Sequence, residues 1–540
     1  MVSLTTDTWT SIQNINYMVL TAHFVDSDWK LQKRILNFCQ IANHKGDTIG
    51  RLIESCLIEW RIENVFTITM DNAKTNDAAV AYLKRRLRSW KNGLVLDGEF
   101  LHMRCCAHIT NLIVTDGLNE QNNSIDLIRK VVKYVRSSPS RLQKFKACID
   151  IEKIESKKLL SLDVSTRWNS TYLMLETACK FEKVFHRLEE EDEDYVNYFE
   201  GYTSTPQYED WNKARILVQF LKTFYEVTLT FRSSLNTSSN LFFNEFAKID
   251  ELLMEGTMDG DKMLNDMAWS MKAKLNKYWG SIDKINRLLF VAQVLDPRYK
   301  FSFIDHVTTK LYGEEVYEVV VKGVKDTLNR LYEFYSTNYS LSSQANVDLQ
   351  VQLNYSSDSD GIEKQMGVLW EYKRKKMSSG SLNKSEIDRY LLEPDEDILQ
   401  YQFNVLDWWR LNSTKYKILS LIARDIFAIP LSTVASESAF STGGRILDPY
   451  RSSLTPKMVE ALICSQNWVR SIPLPLDIRV YDECFDVCQE VEKGFFFFLH
   501  LLFGLHFLVF YIKYLCFICL SYVTFLCLFL LLLFLDTTET

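Results

Sequence analysis

The stretch Met1–Cys39, MVSLTTDTWTSIQNINYMVLTAHFVDSDWKLQKRILNFC, reads as three consecutive strands at about Ser3–Thr10, Tyr17–Val25 and Leu31–Cys39. In the first of them Val2, Leu4 and Thr6 alternate with Ser3, Thr5 and Asp7, the period of a pleated strand. The pattern then changes. Ile49, Leu52, Ile53, Cys56 and Leu57 share one face of a helix expected over about Asp47–Ile62. A second apolar strand follows at Val65–Met70. Next come a helix from about Asn76 to Trp90, with Asn76 or Asp77 as N-cap, and a short strand near Phe100–Arg104.

Three meandering strands followed by alternating helix and strand is the element order of an RNase H-like α/β core, covered on both faces by helices. Residues 1–115 would form its first part. Long periodic segments such as Ala214–Phe231 and Leu241–Met254 then take over, and only Pro139, Pro206 and Pro297 interrupt the first 393 residues. So few prolines favour long helices, and 116–340 is expected to be a large all-helical insertion. The Ser/Asn/Asp-rich residues 341–384 read as a linker, and helical periodicity returns over 385–470.

A chain of 540 residues, 47% hydrophobic, can bury large cores, which excludes a disordered chain. The formal charge of −7 argues against a generally basic nucleic-acid coat, but the positive residues cluster. Lys84, Arg85, Arg86, Arg88 and Lys91 fall close together, and Arg129, Lys130, Lys133, Arg136, Arg141, Lys144 and Lys146 form an acid-free run. An acidic block, Glu189 to Asp194, stands against them. Such clusters serve either as solvated helix faces or as the walls of a DNA channel. Twelve cysteines without a secretory framework indicate a reducing intracellular compartment. Lys373–Lys376 offers a short basic run suited to nuclear import.

Three acids stand at element ends: Asp7 in the first strand, Asp71 directly after Val65–Met70, and Glu437 in an otherwise apolar helical surface. Hard carboxylate oxygens suit Mg²⁺ or Mn²⁺, and a pair of such ions about 3.5–4 Å apart can drive phosphodiester displacement. Asp7 would bridge the ions while Asp71 and Glu437 each complete one site. Taken alone, Asp71 is equally ordinary turn chemistry, since Asp-Asn commonly follows a strand. Cys105 and His108 have a C-x-x-H spacing, but a structural zinc site needs four ligands and no second pair lies nearby. They are expected to support the site from a buried position.

Six phrases resemble the hAT transposases, in particular the plant zinc-finger-BED, RICESLEEPER-like members. They are Ser3–Ser11 (SLTTDTWTS), Met70–Asn76 (MDNAKTN), Arg104–Val114 (RCCAHITNLIV), Asp163–Tyr172 (DVSTRWNSTY), Leu295–Lys300 (LDPRYK) and Ser436–Arg445 (SESAFSTGGR). The resemblance implies an RNase H-like fold with an acidic DDE triad on Asp7, Asp71 and Glu437, and an RNase H-fold region of the family over about 230–335. It also implies a C-terminal dimerisation region at 385–470 and base stacking by the tryptophan matching Trp168. Arg167 beside it could hold phosphate, as could Lys84, Arg85, Arg86 and Arg88, and stacking of Trp168 on an unpaired base competes with a core role.

Trp408, Trp409, Tyr416, Leu419, Ile422, Ile426, Leu462 and Trp468 offer more apolar surface than one short segment covers. Either a second copy or this chain's own core would bury it. The family's BED finger has no counterpart among these residues. Asn404 stands where the family carries an acid, and Lys417 where it carries proline.

The tail, 495–535, has one charged residue, Lys513, and each half is long enough to approach or span a bilayer. Its U-rich-codon composition favours a gene-model artefact over a membrane anchor. The leading expectation is a nuclear, dimerising, DNA-binding, transposase-derived protein with a metal-dependent cleavage or strand-transfer site and no small-molecule substrate. The alternatives are a domesticated non-catalytic DNA-binding or regulatory dimer, and a membrane-anchored interaction protein if the tail is real.

Overall fold

The computed structural model describes residues 1–90, 93–119, 122–156, 158–164, 167–199, 204–233, 237–353, 385–398, 403–447 and 454–469. Five strands form one mixed sheet: β1 Val2–Thr10, β2 Asn16–Val25, β3 Leu31–Gln40, β4 Val65–Met70 and β5 His102–Arg104, in the order β3-β2-β1-β4-β5. The meander β1–β2–β3 is antiparallel. β4 joins β1 in parallel with Thr5 opposite Thr69, and β5 extends the sheet in parallel with Met70 opposite Arg104. Helix α1, Gly46–Glu59, supplies the crossover to β4, and α2, Lys74–Leu87, the crossover to β5.

Alternation along the strands decides what covers each face. Leu4, Met18, Leu20, Ile68 and Met70 pack with Ile49, Ile53 and Leu57 of α1 and Ala79, Leu83 and Leu87 of α2. On the other face Tyr17, Val19, Ile35 and Phe38 meet the last two helices of the chain's described part, Val434–Ile446 and Pro456–Val469. Both faces are therefore dry, as the RNase H-like reading requires.

The helical insertion follows β5. It comprises α3 Cys106–Asn119, α4 Asn122–Arg136, α5 Pro139–Glu152, α6 Trp168–Lys180, α7 Glu182–Glu191, α8 Glu193–Tyr198 and α9 Tyr208–Phe231. It continues through α10 Phe242–Thr257, α11 Lys262–Trp279, α12 Arg287–Val294, α13 Lys300–Tyr312 and α14 Tyr317–Leu353. The opposing charge blocks meet inside it. Lys144 pairs with Asp192 at 2.6 Å, Tyr134 donates to the same carboxylate at 2.7 Å, and Arg129 clasps Asp163 at 2.7 Å. Part of the basic run is thus neutralised within the insertion.

The C-terminal helices are α15 Glu386–Leu392, α16 Val405–Asn412, α17 Lys417–Phe427, α18 Val434–Ile446 and α19 Pro456–Val469. They dock on the segment Val294–Lys300. Tyr390 donates to the Val294 carbonyl, Trp409 Nε1 to the Leu295 carbonyl at 2.9 Å, and Lys300 Nζ to the Glu393 carbonyl at 2.7 Å. Buried Asp296 holds this clasp together by accepting from Asn240 and from Arg298. Asn404 caps α16 by accepting from the Leu406 N–H, the task an acid would perform there. Glu386 accepts from the Ile418 and Leu419 N–H groups and so stabilises the start of α17.

Several expectations need correction. The cap preceding α2 is Ala73 rather than Asn76 or Asp77, because the helix already begins at Lys74 and both residues lie within its first turn. Trp409, Tyr416, Leu419, Ile422 and Ile426 are fully buried within a single chain, where Trp409 of α16 meets Leu295 and α17 packs on α14, α12 and β2. These five residues attach the C-terminal helices to the body instead of forming a free surface. Among the described residues no helix is long and apolar enough to cross a membrane, so the transmembrane expectation gains no segment. Residues 495–535, on which it rested, and Lys373–Lys376 lie outside the described residues.

Candidate functional site

The sheet brings two of the three acids to one level. β1 and β4 are parallel neighbours with Thr5 opposite Thr69, so Asp7 and Asp71 each stand two residues further along adjacent strands. Both line a small cleft with Thr8, His44, Met70 and Asn76. Glu437 arrives from a different direction, on the first turn of α18.

The position of that helix follows from its packing. Phe440 stacks on Trp9 with ring centroids 5.8 Å apart and meets Phe38 edge-on at 6.0 Å. Gly443 is needed one turn later, since a Cβ there would come within 2.9 Å of the Phe38 ring. Before α18 the chain is latched to the strand ends: Thr69 Oγ1 donates to the Pro430 carbonyl at 2.9 Å, and the Cys106 N–H to the Leu431 carbonyl at 2.8 Å. Cys105 belongs to the same latch. Its buried Sγ accepts from the Thr433 N–H, the Thr433 hydroxyl and the His108 N–H, and burial pushes the thiol up to about 11. Cys105 thus braces the loop that leads into α18, and His108 contributes only its backbone N–H to the same sulfur.

Each acid is engaged by the protein itself. Asp71 accepts from the Ala73 N–H at 2.9 Å and from the Asn76 side-chain amide, as a carboxylate closing its own turn. Glu437, partly exposed, receives Arg232 at 3.2 Å from the end of α9. Asp7 accepts from the Thr8 N–H at 2.7 Å. Burial pushes Asp7 up to about 7, and the neighbouring charges of Asp71 and Glu437 add to the rise, which the Thr8 hydrogen bond only partly offsets. The three acids therefore feel one another without converging. Behind them lies a buried polar chain: Ser436 Oγ is 3.4 Å from Thr5 Oγ1, which is 3.1 Å from His23 Nε2. Burial lowers His23 to about 3, so the imidazole is neutral.

The expectation of a triad holding two cations is overturned. Among the described residues, no group of three or more His, Cys, Asp or Glu side chains is arranged so that it could hold a metal ion. The DDE description, the Mg²⁺ or Mn²⁺ cofactor and the nuclease or strand-transferase reading fall with it. The physical reason is local: Asp71 turns into its own loop and Glu437 toward Arg232.

The other candidate residues fall in three settings. Trp168 is buried at the start of α6 and is not open to an unpaired base, while Arg167 before it is exposed. Lys84, Arg85, Arg86 and Arg88 lie at the end of α2, where Arg86 is committed to Glu54 at 2.8 Å. Arg85 and Arg51 flank the Tyr82 ring at 5.6 and 5.4 Å, leaving Lys84, Arg85 and Arg88 on an outward ridge. Trp408 donates to Glu396 at 2.8 Å and is half-buried. Leu462 and Trp468 remain partly exposed, with Trp468 stacked on Trp60 at 5.5 Å. Sequence reading missed Arg232, which reaches Glu437 from 205 positions away, and missed the Asn76 tie to Asp71.

A five-stranded mixed sheet of this order, interrupted by a long helical insertion and completed by C-terminal helices, defines an RNase H-like protein of the transposase type. Family models match throughout: a ZBED1 RNase-like domain at 5–100, a ZBED1 RNase-like helical domain at 103–220, a hAT-like transposase RNase-H fold at 240–335, and the hAT family C-terminal dimerisation region at 386–469. A Zea mays protein named after the AC transposase is 36% identical over 472 residues, covering 86% of this chain and 56% of its own length. Zinc finger BED domain-containing protein RICESLEEPER 2 of Oryza sativa is 35% identical, covering 87% and 65%; RICESLEEPER 4 is 33% identical, covering 87% and 70%. The chain belongs to the hAT superfamily of transposase-derived proteins, among its RICESLEEPER- and DAYSLEEPER-like relatives. It spans 56% to 70% of the length of the three relatives compared.

Proposed function

We propose that this chain is a domesticated, non-catalytic hAT protein that binds DNA as a dimer and acts in the nucleus as a regulatory or architectural factor. The engagement of the three acids by the protein's own donors carries the non-catalytic reading. A two-ion nuclease needs its carboxylates grouped around the cations, whereas among the described residues no such group forms, and Arg232 and Asn76 each engage one oxygen of Glu437 and Asp71. The C-terminal match supports self-association. The names of the relatives, transposase and BED finger, support a DNA target.

The α2 ridge is the surface best suited to a phosphate backbone. Lys84, Arg85 and Arg88 are presented on one helix end, and among the described residues none of them makes an ion pair with an acid. Counterion release assigns about 0.9 of log-log slope per duplex phosphate contact, hence about fivefold in affinity per contact at 0.15 M salt. Changing all three to glutamine should weaken duplex binding about a hundredfold and lower the salt slope by about 2.7. Fluorescence anisotropy across a salt series measures both. An unchanged slope would remove this ridge from the DNA path.

A further inference from the structure

A cavity of about 300 Å³ opens beside β5 and shares none of its lining residues with the carboxylate cleft. β5 contributes His102 and Arg104, the end of α11 contributes Tyr278, the turn Ile282–Lys284 contributes Lys284, and α12 begins with Arg287. Asn286 fixes this arrangement. Its amide donates to the Phe100 and His102 carbonyls at 3.0 Å, and its oxygen accepts from the Leu288 N–H, so the start of α12 is tied to the edge of the sheet.

The charges in the wall are unevenly matched. Of its two acids, Glu99 is taken by Arg330 and Asp283 is exposed. Arg104 reaches Asp77 only at 3.4 Å, and Lys284 spends one donor on the Asn276 carbonyl at 3.2 Å. Among the described residues Arg287 makes no ion pair, and its guanidinium lies against Gly323, where a Cβ would come within 3.4 Å. His102 adds a buried Nε2 without a hydrogen-bond partner. Buried polar atoms in native proteins are normally satisfied, so an orphan in the wall of a polar cavity points to a missing partner. Guanidinium and ammonium groups beside an aromatic ring are the usual furniture of a phosphate-plus-base site.

We propose that this pocket binds the phosphate group of a nucleotide, with Arg287 and Lys284 as its main ligands and Tyr278 against the attached base. The inference rests on the DNA-binding reading for its physiological source, a strand crossing the β5 edge. A free mononucleotide has the same chemistry.

The test uses the full chain with a 5′-phosphorylated single-stranded oligonucleotide, and adenosine monophosphate as competitor. For single strands each lost phosphate contact costs about fourfold at 0.15 M salt, so Lys284→Gln should weaken oligonucleotide binding about fourfold and Lys284→Gln/Arg287→Gln about fifteenfold. Competition by adenosine monophosphate in the wild type that disappears in the double variant would identify the free nucleotide as a ligand. Loss of oligonucleotide affinity without such competition would identify the strand. Oligonucleotide affinity within twofold of wild type in Lys284→Gln and in a folded double variant would overturn the proposal. Lys284 is exposed, so the single variant decides the matter even if Arg287→Gln unfolds the chain. A wild type that fails to bind duplex DNA but binds adenosine monophosphate through these residues would refute the DNA reading and keep the pocket. Failure to bind duplex DNA, the oligonucleotide and adenosine monophosphate alike would end both.

Discussion

Replacing Asp7 with asparagine should stabilise this chain at pH 8, the reverse of the usual result for a polar residue inside a sheet. Asp7 titrates at about 7 in the folded chain against an ordinary value of 3.8, because burial and the charges of Asp71 and Glu437 all oppose its ionisation. A folded pKa raised above the unfolded one means that the folded state keeps its proton after the unfolded state has lost it. Stability therefore falls as pH rises from about 4 to about 7 and then levels off. With about 1.36 kcal/mol for each pKa unit, the penalty at pH 8 reaches about 4 kcal/mol as a ceiling, and solvent reaching the partly open cleft reduces it. Asparagine keeps an oxygen for the Thr8 N–H and carries no charge. Urea unfolding of wild type and Asp7→Asn should show a stability gap that is small at pH 4, opens between pH 4 and 7, and stays constant above. An asparagine variant no more stable than wild type at pH 8, or a gap independent of pH, would refute the reasoning.

Trp409→Ala should cost about 3–5 kcal/mol, because the ring is fully buried and its Nε1 donates to the Leu295 carbonyl. Trp468→Ala should cost clearly less, since that ring is partly exposed; chemical denaturation of both checks the contrast. Gly443→Ala should lose about 1–3 kcal/mol by driving a methyl into Phe38, read from the same transition. Arg232→Gln should change stability by no more than about 1 kcal/mol, as expected for a partly exposed ion pair, and a larger loss would mean that the pair is structural.

The sheet was legible in part because Val65–Met70 reads directly from its β-branched and apolar run, and β4 has the predicted bounds. The acids were legible as positions but not as partners. Nothing local to Glu437 announces Arg232, and nothing in the Asp71–Asn76 spacing says that the amide rather than a cation meets the carboxylate. The apolar surplus of 405–427 was legible as well, but a surplus does not say what covers it. Only the docking of α16 on Val294–Lys300 and of α17 on β2, α12 and α14 gives Trp409, Tyr416, Leu419, Ile422 and Ile426 to the chain's own interior. Trp168 shows the same limit, since a tryptophan at a helix start reads alike whether it faces solvent or core.

Thermal unfolding of the chain in rising Mn²⁺ tests the central claim most directly, because a cation bound at a hundred times its dissociation constant would add about 2.7 kcal/mol to the folded state. The account predicts an unfolding midpoint that stays constant through millimolar Mn²⁺ in wild type and in Asp71→Asn. A midpoint that climbs with Mn²⁺ in wild type and no longer does so in Asp71→Asn would contradict it.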